Sequence, residues 1–410
     1  MFRFCAVILI LLAVPALAQS RAQIETQFRS WQETTLWPQV SRAGVSRTVF
    51  DAALNGVTLD WDLPDLVAPG SAPAPRGVPR QAEFRAPARY FAPSTVNGTA
   101  STGRQMAQRH AAALAATTRA TGVPAHIILA IWGRESAYGR AAIPHDAVRV
   151  LGTKAFMSTR ADYFTAELVA AMQIMQAGHV SPRAMKSSWA GALGQPQFMP
   201  SNFLRYAADG NGDGRADIWG SEADTIASIG TYLAQHGWVA GRDWGFEVTL
   251  PGNLSCALEG PDQGRRIADW EAAGVTRVGN RAFPAHERGQ VGYLLMPAGR
   301  GGPAFIVTPN FYVLKEYNES DLYALFVGHV GDKIAYGVGP FTAGWDSIDT
   351  LTRGQVAAMQ TSLMRMGLDT GGADGLAGFR TRRSIGQWQQ ATGQAPTCFP
   401  DRAILRALGG

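Results

Sequence analysis

Residues 127–140, IILAIWGRESAYGR, decide how the chain is read. At helical spacing Ile127, Ile128, Ile131, Glu135 and Tyr138 fall on one face. Pro124 suits a first turn and Gly139 suits a helix end. A carboxylate therefore stands in line with an apolar stripe. Arg134 is its sequence neighbour, but residues at i and i+1 do not face each other on a helix. Burial without a cation raises a carboxyl pKa and keeps the group protonated near neutrality. A general acid needs that state. The same pattern also fits a structural Glu satisfied by a distant Arg or by backbone donors.

A second stretch, residues 188–201, reads SWAGALGQPQFMPS. Pro196 restricts Gln195 to extended geometry, which suits a loop carrying Gln197. Together the two stretches resemble the lytic murein transglycosylase B family. Its catalytic segment W-G-x-E-[ST] is matched by Trp132, Gly133, Glu135 and Ser136. Its companion S-[WF]-A-G-A-[ML]-G-x-x-Q-F-M-P-S is matched from Ser188 through Ser201. The resemblance continues through residues 310–323 and spans about residues 20–335. It implies a mainly α (α+β) protein, with a lysozyme-like catalytic domain that carries a small β subdomain.

Composition sets the frame. The 410 residues are enough for two or three domains. A hydrophobic share of 46% with 17% charged residues describes a globular protein. Residues 1–18 read as a secretory signal: Arg3 supplies the positive end, residues 6–14 the apolar core, and Ala16, Leu17 and Ala18 the cleavage pattern. The apolar run is short for a bilayer span, so cleavage is expected before Gln19. Cys5 lies upstream of that site and does not look like a lipid-modified cysteine. The expected location is the periplasm, without stable membrane insertion, as a monomer. Two cysteines then remain, Cys256 and Cys398. An oxidising compartment permits a disulfide, distance decides it, and sequence does not give distance; the expectation is two unpaired buried thiols.

Charge is uneven. Loss of Arg3 leaves 36 basic and 32 acidic residues. Residues 350–410 hold seven arginines (353, 365, 380, 382, 383, 402, 406) against Asp369, Asp374 and Asp401, and everything before sums to about zero. A basic tail favours an anionic polymer. Secretion argues against nucleic acid.

Residues 23–37 and 47–54 look helical, with Ser46 as N-cap and Gly56 past the end. Residues 67–78, VAPGSAPAPRGV, read as a loop inside the domain. Residues 102–121 read as one long Ala-rich helix, and 161–178 and 225–236 as further helices. Residues 246–250, 292–296 and 304–307 read as a small sheet. Residues 310–323 lead into a helix ending near Tyr336, and 337–348 read as a linker.

From 349 to 410 the tail reads as its own module. Val356, Met359, Leu363 and Met366 space as an amphipathic helix, and Ile385 and Trp388 sit on a second helix over 381–393. This resembles the small three-helix peptidoglycan-binding domain, matched at Gln360, Leu363, Asp374, Gly375, Gly378, Thr381 and Gln389, with Trp388 in place of Phe. About sixty residues can fold alone. The alternative is a helical cap on the catalytic domain.

Residues 209–217, DGNGDGRAD, match the first half of an EF-hand loop: Asp209, Asn211, Asp213, the backbone of Arg215 at the seventh position, and Gly214 for the turn. The twelfth position is Gly220, which offers no carboxylate; Glu222 or Asp224 could close the shell. The resemblance implies a structural Ca2+ closed by Asp224. The alternative is a Gly/Asp turn without an ion. No organic cofactor is expected.

Glycosidic cleavage usually takes two carboxylates. Only Glu135 is well placed here, and the resemblance implies a single-carboxylate scheme. One Glu protonates the oxygen between N-acetylmuramic acid and N-acetylglucosamine. The substrate's N-acetyl group stabilises the cationic centre. The same Glu, now ionised, takes a proton from the muramoyl C6 hydroxyl, which attacks C1 and leaves a 1,6-anhydro end. The resemblance assigns Ser188 and Gln197 to sugar hydrogen bonds, Phe198 to a ring contact, and Tyr317 and Tyr323 to a pair near the Glu. It also places Tyr90 in the cleft and Arg160 on substrate. For each aromatic, core packing is the competing role. Three rival functions remain: a muramidase using water on the same bond, a non-catalytic wall-binding protein, and a calcium-dependent structural protein.

Overall fold

The computed structural model describes residues 20–72, 87–346 and 351–409. The signal segment, Cys5 and residues 73–78 of the predicted loop lie outside the described residues.

The α part is built around helix Ala125–Ser136, in which every residue from Ile127 to Gly133 is buried. A helix apolar all round belongs inside a core, and here it packs against helices Pro93–Arg109, Ala111–Thr121, Glu222–Gln235 and Asp321–Tyr336. Trp132 is fully buried at its centre, and burying such a side chain contributes about 3 kcal/mol.

This helix stops one turn short of expectation. Ala137, Tyr138 and Gly139 all have positive φ, at 50°, 61° and 76°. Tyr138 therefore leaves the Glu135 face and folds back over the helix. Its ring meets Trp132 edge-on at 5.4 Å, and its hydroxyl donates to the Thr99 carbonyl at 2.9 Å. Gly133 makes this possible, since a Cβ there would lie 2.6 Å from the Tyr138 ring. Burial of a large aromatic offsets the left-handed backbone, which costs about 1–3 kcal/mol per residue.

The predicted helix over 102–121 is two helices broken at His110, and the first begins at Pro93. No Pro or Gly marks the break. The His110 ring packs against Trp132 at 5.5 Å and its Nε2 lies 3.1 Å from Glu222. Near the N-terminus, helix Arg21–Trp31 continues through a π turn, Gln32–Leu36, into Trp37–Arg42. Ser46 caps Arg47–Leu54 by accepting from the Val49 amide.

The β subdomain is a five-stranded antiparallel sheet. Its order is Arg265–Arg266, Val291–Leu295, Ala304–Val307, Gly245–Thr249, Thr276–Arg277. It has its own core of Phe246, Ile267, Trp270, Leu294 and Ile306.

Helices Arg353–Arg365, Phe379–Ala391 and Arg402–Ala407 form the C-terminal domain around Met359, Leu363, Ile385, Trp388 and Ile404. Met366 lies past its helix and is exposed. This domain also docks on the β subdomain. Cys256 and Cys398 are both buried, their Cα atoms are 6.3 Å apart, and they form a disulfide. That corrects the expectation of two free thiols: the fold brings together side chains 142 positions apart, which sequence spacing does not reveal. The Arg300 amide donates to the Thr397 carbonyl at 2.9 Å, and Arg382 lies buried against Glu259.

The described part of the segment joining the two parts, up to Asp346, packs on the rest of the chain. Phe341 packs on His329 and Phe305, Trp345 stacks on Phe91, and the Asp346 amide donates to the Gly301 carbonyl.

Candidate active site

Glu135 occupies the last turn of its helix and is half-buried. Burial raises its carboxyl from the ordinary 4.5 to about 7; a hydrogen bond from Tyr323 and the charge of Arg134 pull the other way. No carboxylate among the described residues perturbs it. Arg134 points elsewhere, as helical spacing requires. Its guanidinium lies 4.5 Å over the Tyr90 ring and donates to the Tyr90 hydroxyl at 2.7 Å.

Tyr323 sits in the first turn of helix Asp321–Tyr336, which Ser320 caps by accepting from the Tyr323 amide at 3.1 Å. Its hydroxyl donates to Glu135 Oε1 at 2.5 Å. Tyr317, the last residue of helix Pro309–Tyr317, stacks on Tyr323 with centroids 6.3 Å apart. Burial and the charge of Glu135 raise both phenols well above their usual range. Both hydroxyls therefore keep their protons and act as donors. The Tyr317 hydroxyl donates to the Pro196 carbonyl at 2.7 Å.

Pro196 belongs to the loop carrying Ser188 and Gln197. Ser188 closes it at one end: its amide donates to the Ala192 carbonyl, and its Oγ accepts from the Ala192 amide. Leu193 and Phe198 exchange backbone hydrogen bonds at the other. Gln197 is the tip, with φ of 55°, and its Nε2 donates to the Gly194 carbonyl at 2.8 Å. A non-glycine residue in this region is held by its surroundings and is a common feature of functional sites. Phe198 lies behind the loop. It is 1% exposed and packs against Tyr232 and Tyr317, so its ring supports Tyr317 rather than meeting a sugar.

Sequence reasoning missed Gln195, which ties the two motifs together. Its Oε1 accepts from Trp132 Nε1 at 2.8 Å and its Nε2 donates to the Trp219 carbonyl at 3.0 Å. Gly139 is the signal that could have found it, because a Cβ there would lie 2.5 Å from Gln195 Oε1. It also missed Trp189, 51% exposed beside Ser188, with Lys154 Nζ 5.1 Å from its ring centre. Arg160 is exposed, stands 4.1 Å over Tyr163 and shares the Phe164 ring with Lys154. Its contacts place it in this flanking group of cations and aromatics, not in the Glu135–Tyr323 cluster.

The Asp209 loop is closed by backbone donors. Asp209 accepts from the amides of Gly212, Asp213 and Gly214, and these hold its carboxyl below the usual range. Asp224 is fully buried and accepts from the amides of Gly210, Asn211 and Asp217. Asp213 accepts from the Arg215 amide. The side-chain ligand atoms that Asp209, Asp213 and Asp224 offer are all oxygens, the chemistry Ca2+ takes. Among the described residues no three acidic, His or Cys side chains converge as a metal cluster.

The fold and site define a class: a helical protein with a small sheet and a half-buried, phenol-supported carboxyl group. Residues 27–332 match the transglycosylase SLT domain, and residues 352–408 match a peptidoglycan binding domain. The chain belongs to the transglycosylase SLT domain family. It is 31% identical over 274 residues to the membrane-bound lytic murein transglycosylase B of Escherichia coli (strain K12), covering 67% of this chain and 73% of that one. Its structure matches that of SltB3 from Pseudomonas aeruginosa in complex with NAG-anhNAM-pentapeptide. The TM-score is 0.80 and the identity 34%, over 96% of this chain and all of that one. The Escherichia coli lytic transglycosylase Slt35 in complex with calcium matches with a TM-score of 0.53 and 30% identity, over 63% of this chain and 80% of that one.

Proposed function

We propose that the chain is a peptidoglycan lytic transglycosylase, cleaving between N-acetylmuramic acid and N-acetylglucosamine without water and leaving 1,6-anhydro ends. The observation that carries this reading is the half-buried Glu135, raised to about 7 and held by the Tyr323 hydroxyl. Near neutrality it is poised to give a proton to the bridging oxygen and then to take one from the C6 hydroxyl. Tyr323 stabilises the carboxylate that forms between the two steps. The anhydro product requires water to be kept off the attack line, which falls to the bound glycan itself at this half-buried site.

Ser188, Gln197 and Tyr317 act on the sugars from the loop and helix corner beside Glu135, with Tyr90 at the cleft edge behind Arg134. Trp189 and Arg160, both exposed, take a flanking part of the strand or its peptide, and the buried Lys154 braces the Trp189 ring from behind. Ca2+ would be held by Asp209, Asn211, Asp213, the Arg215 carbonyl and Asp224, and would stiffen the loop without joining the reaction. The first 18 residues direct export to the periplasm. Among the described residues no single helix is long and apolar enough to cross a membrane. Product mass analysis of a glycan digest by wild type and Glu135→Gln tests the reading. Anhydro products from the wild type and almost none from the variant support it; hydrated products sink it.

A further inference from the structure

Arg382 of the C-terminal domain is 3% exposed and faces two carboxylates. Its Nη2 lies 2.6 Å from Glu259 Oε1, its Nε donates to both Glu259 oxygens at 3.1 Å, and its Nη1 donates to the Ala377 carbonyl at 2.8 Å. Nη2 also reaches Asp321 Oδ2 at 3.3 Å. The other Asp321 oxygen takes Lys315 Nζ at 2.7 Å. Burial opposes the charge on Arg382, but Glu259 and Asp321 overcome it and raise the guanidinium further. Glu259 belongs to the β subdomain, Asp321 to the helical core and Arg382 to the C-terminal domain. The three parts of the molecule meet in one knot.

Its place matters. Asp321 is the first residue of the helix that presents Tyr323 to Glu135, and Lys315 lies on the helix that ends in Tyr317. Leu322, Tyr323 and Leu325 pack this helix start into the core on its inner side. A cavity of about 250 Å³ lies on its outer side, lined by Lys315, Asp321, Leu322, Phe379, Arg380 and Arg382 among others. On that outer side Arg382 and Lys315 reach Asp321 beside the cavity. The far side of the knot is anchored: the Cys256–Cys398 disulfide and the Arg300–Thr397 backbone bond hold the C-terminal domain against the β subdomain.

We propose that Arg382 is a positioning residue for catalysis, which grips Asp321 and thereby fixes the helix start that holds the Tyr323 hydroxyl on Glu135. The C-terminal domain is then part of the catalytic apparatus and not only a wall-binding module. The proposal rests on the Glu135–Tyr323 reading above.

The test uses the full-length chain on a small soluble glycan oligomer, so that wall binding plays no part. Asp321→Asn keeps the Arg382–Glu259 pair and the disulfide. It is expected to lower kcat about ten- to a hundredfold, the effect of a small displacement, with KM little changed. The alkaline limb of the kcat–pH profile is expected to move upward, in the same direction as in Tyr323→Phe. The double variant Glu259→Met, Arg382→Met removes both buried charges for apolar volume, a change that proteins tolerate. It is expected to stay docked through the disulfide and to show the same displaced limb. A wild-type kcat and limb in either variant, with a moved limb in Tyr323→Phe, would overturn the positioning role alone. An unmoved limb in Tyr323→Phe would overturn the Glu135–Tyr323 reading and this proposal with it.

Discussion

The Tyr323 hydroxyl donates to Glu135 Oε1 at 2.5 Å, across 188 positions of sequence. The phenol is 2% exposed and keeps its proton, so it serves as a fixed donor to whichever form of Glu135 is present. It stabilises the carboxylate more than the acid. Burial works the other way and wins, leaving the carboxyl at about 7.

A pH profile follows. The proton-donating form is lost as pH rises through about 7, so kcat should fall above that value. Tyr323→Phe removes a group that lowers the Glu135 pKa. Its limb should therefore move to higher pH while the maximal rate drops. Initial rates on a soluble oligomer from pH 5 to 9 check this; a limb that moves to lower pH would contradict it.

Glu135 should also cost stability. Below its ordinary 4.5 the group is neutral in both folded and unfolded chains, and there is no penalty. Between 4.5 and about 7 the folded chain holds the proton more tightly, so stability declines as pH rises. Above 7 the loss is complete, at most about 3 kcal/mol and less where solvent reaches the side chain. Glu135→Gln should thus melt higher than wild type at pH 8 and equally at pH 4. Equal melting at both values would deny the raised pKa.

The Asp209 loop gives a metal prediction. An ion bound only by the folded state adds stability by mass action. Chelation should lower the melting temperature of the wild type but not of an Asp209→Ala, Asp213→Ala double variant. Equal responses would leave a backbone-closed turn with no ion.

The docked tail changes what truncation should do. An independent module would leave cleavage of small oligomers untouched. Deleting residues 346–410 instead removes Arg382 from the buried Glu259 and breaks the disulfide. It also strips helix Phe379–Ala391 from Cys256 and Gly260 and exposes apolar surface that was buried. The truncated chain should melt lower and lose activity even on soluble oligomers, as the cap alternative requires. A truncated chain that melts and cleaves like the full chain would contradict this.

Much of this was legible in the sequence. The Glu135 helix, the loop from Ser188 to Ser201, the small sheet and the tail helices all carry local signals of periodicity, capping or turn chemistry. What sequence did not carry depends on long-range meeting. Tyr138 leaves its helix because Gly133 opens a slot for its ring, a fact of packing and not of period. The break at His110 answers to Trp132 and Glu222 from other elements. Phe198 shares its motif with Gln197 yet points into the core. Summing the tail's arginines overstated its field: Arg382 is buried, Arg383 pairs with Asp262, and Arg380 lies near Asp369. Gln195 shows the limit best, since only the fold brings it to Trp132.

The most direct measurement is the mass of the products when purified sacculi are digested by wild type and by Glu135→Gln. Wild-type fragments are expected to be lighter by one water than hydrolysis would give. A folded Glu135→Gln is expected to release almost nothing, since acid–base catalysis is worth about a hundred- to ten-thousandfold. Hydrated ends from the wild type would make the chain a muramidase, and near-normal release by the variant would remove Glu135 from the chemistry.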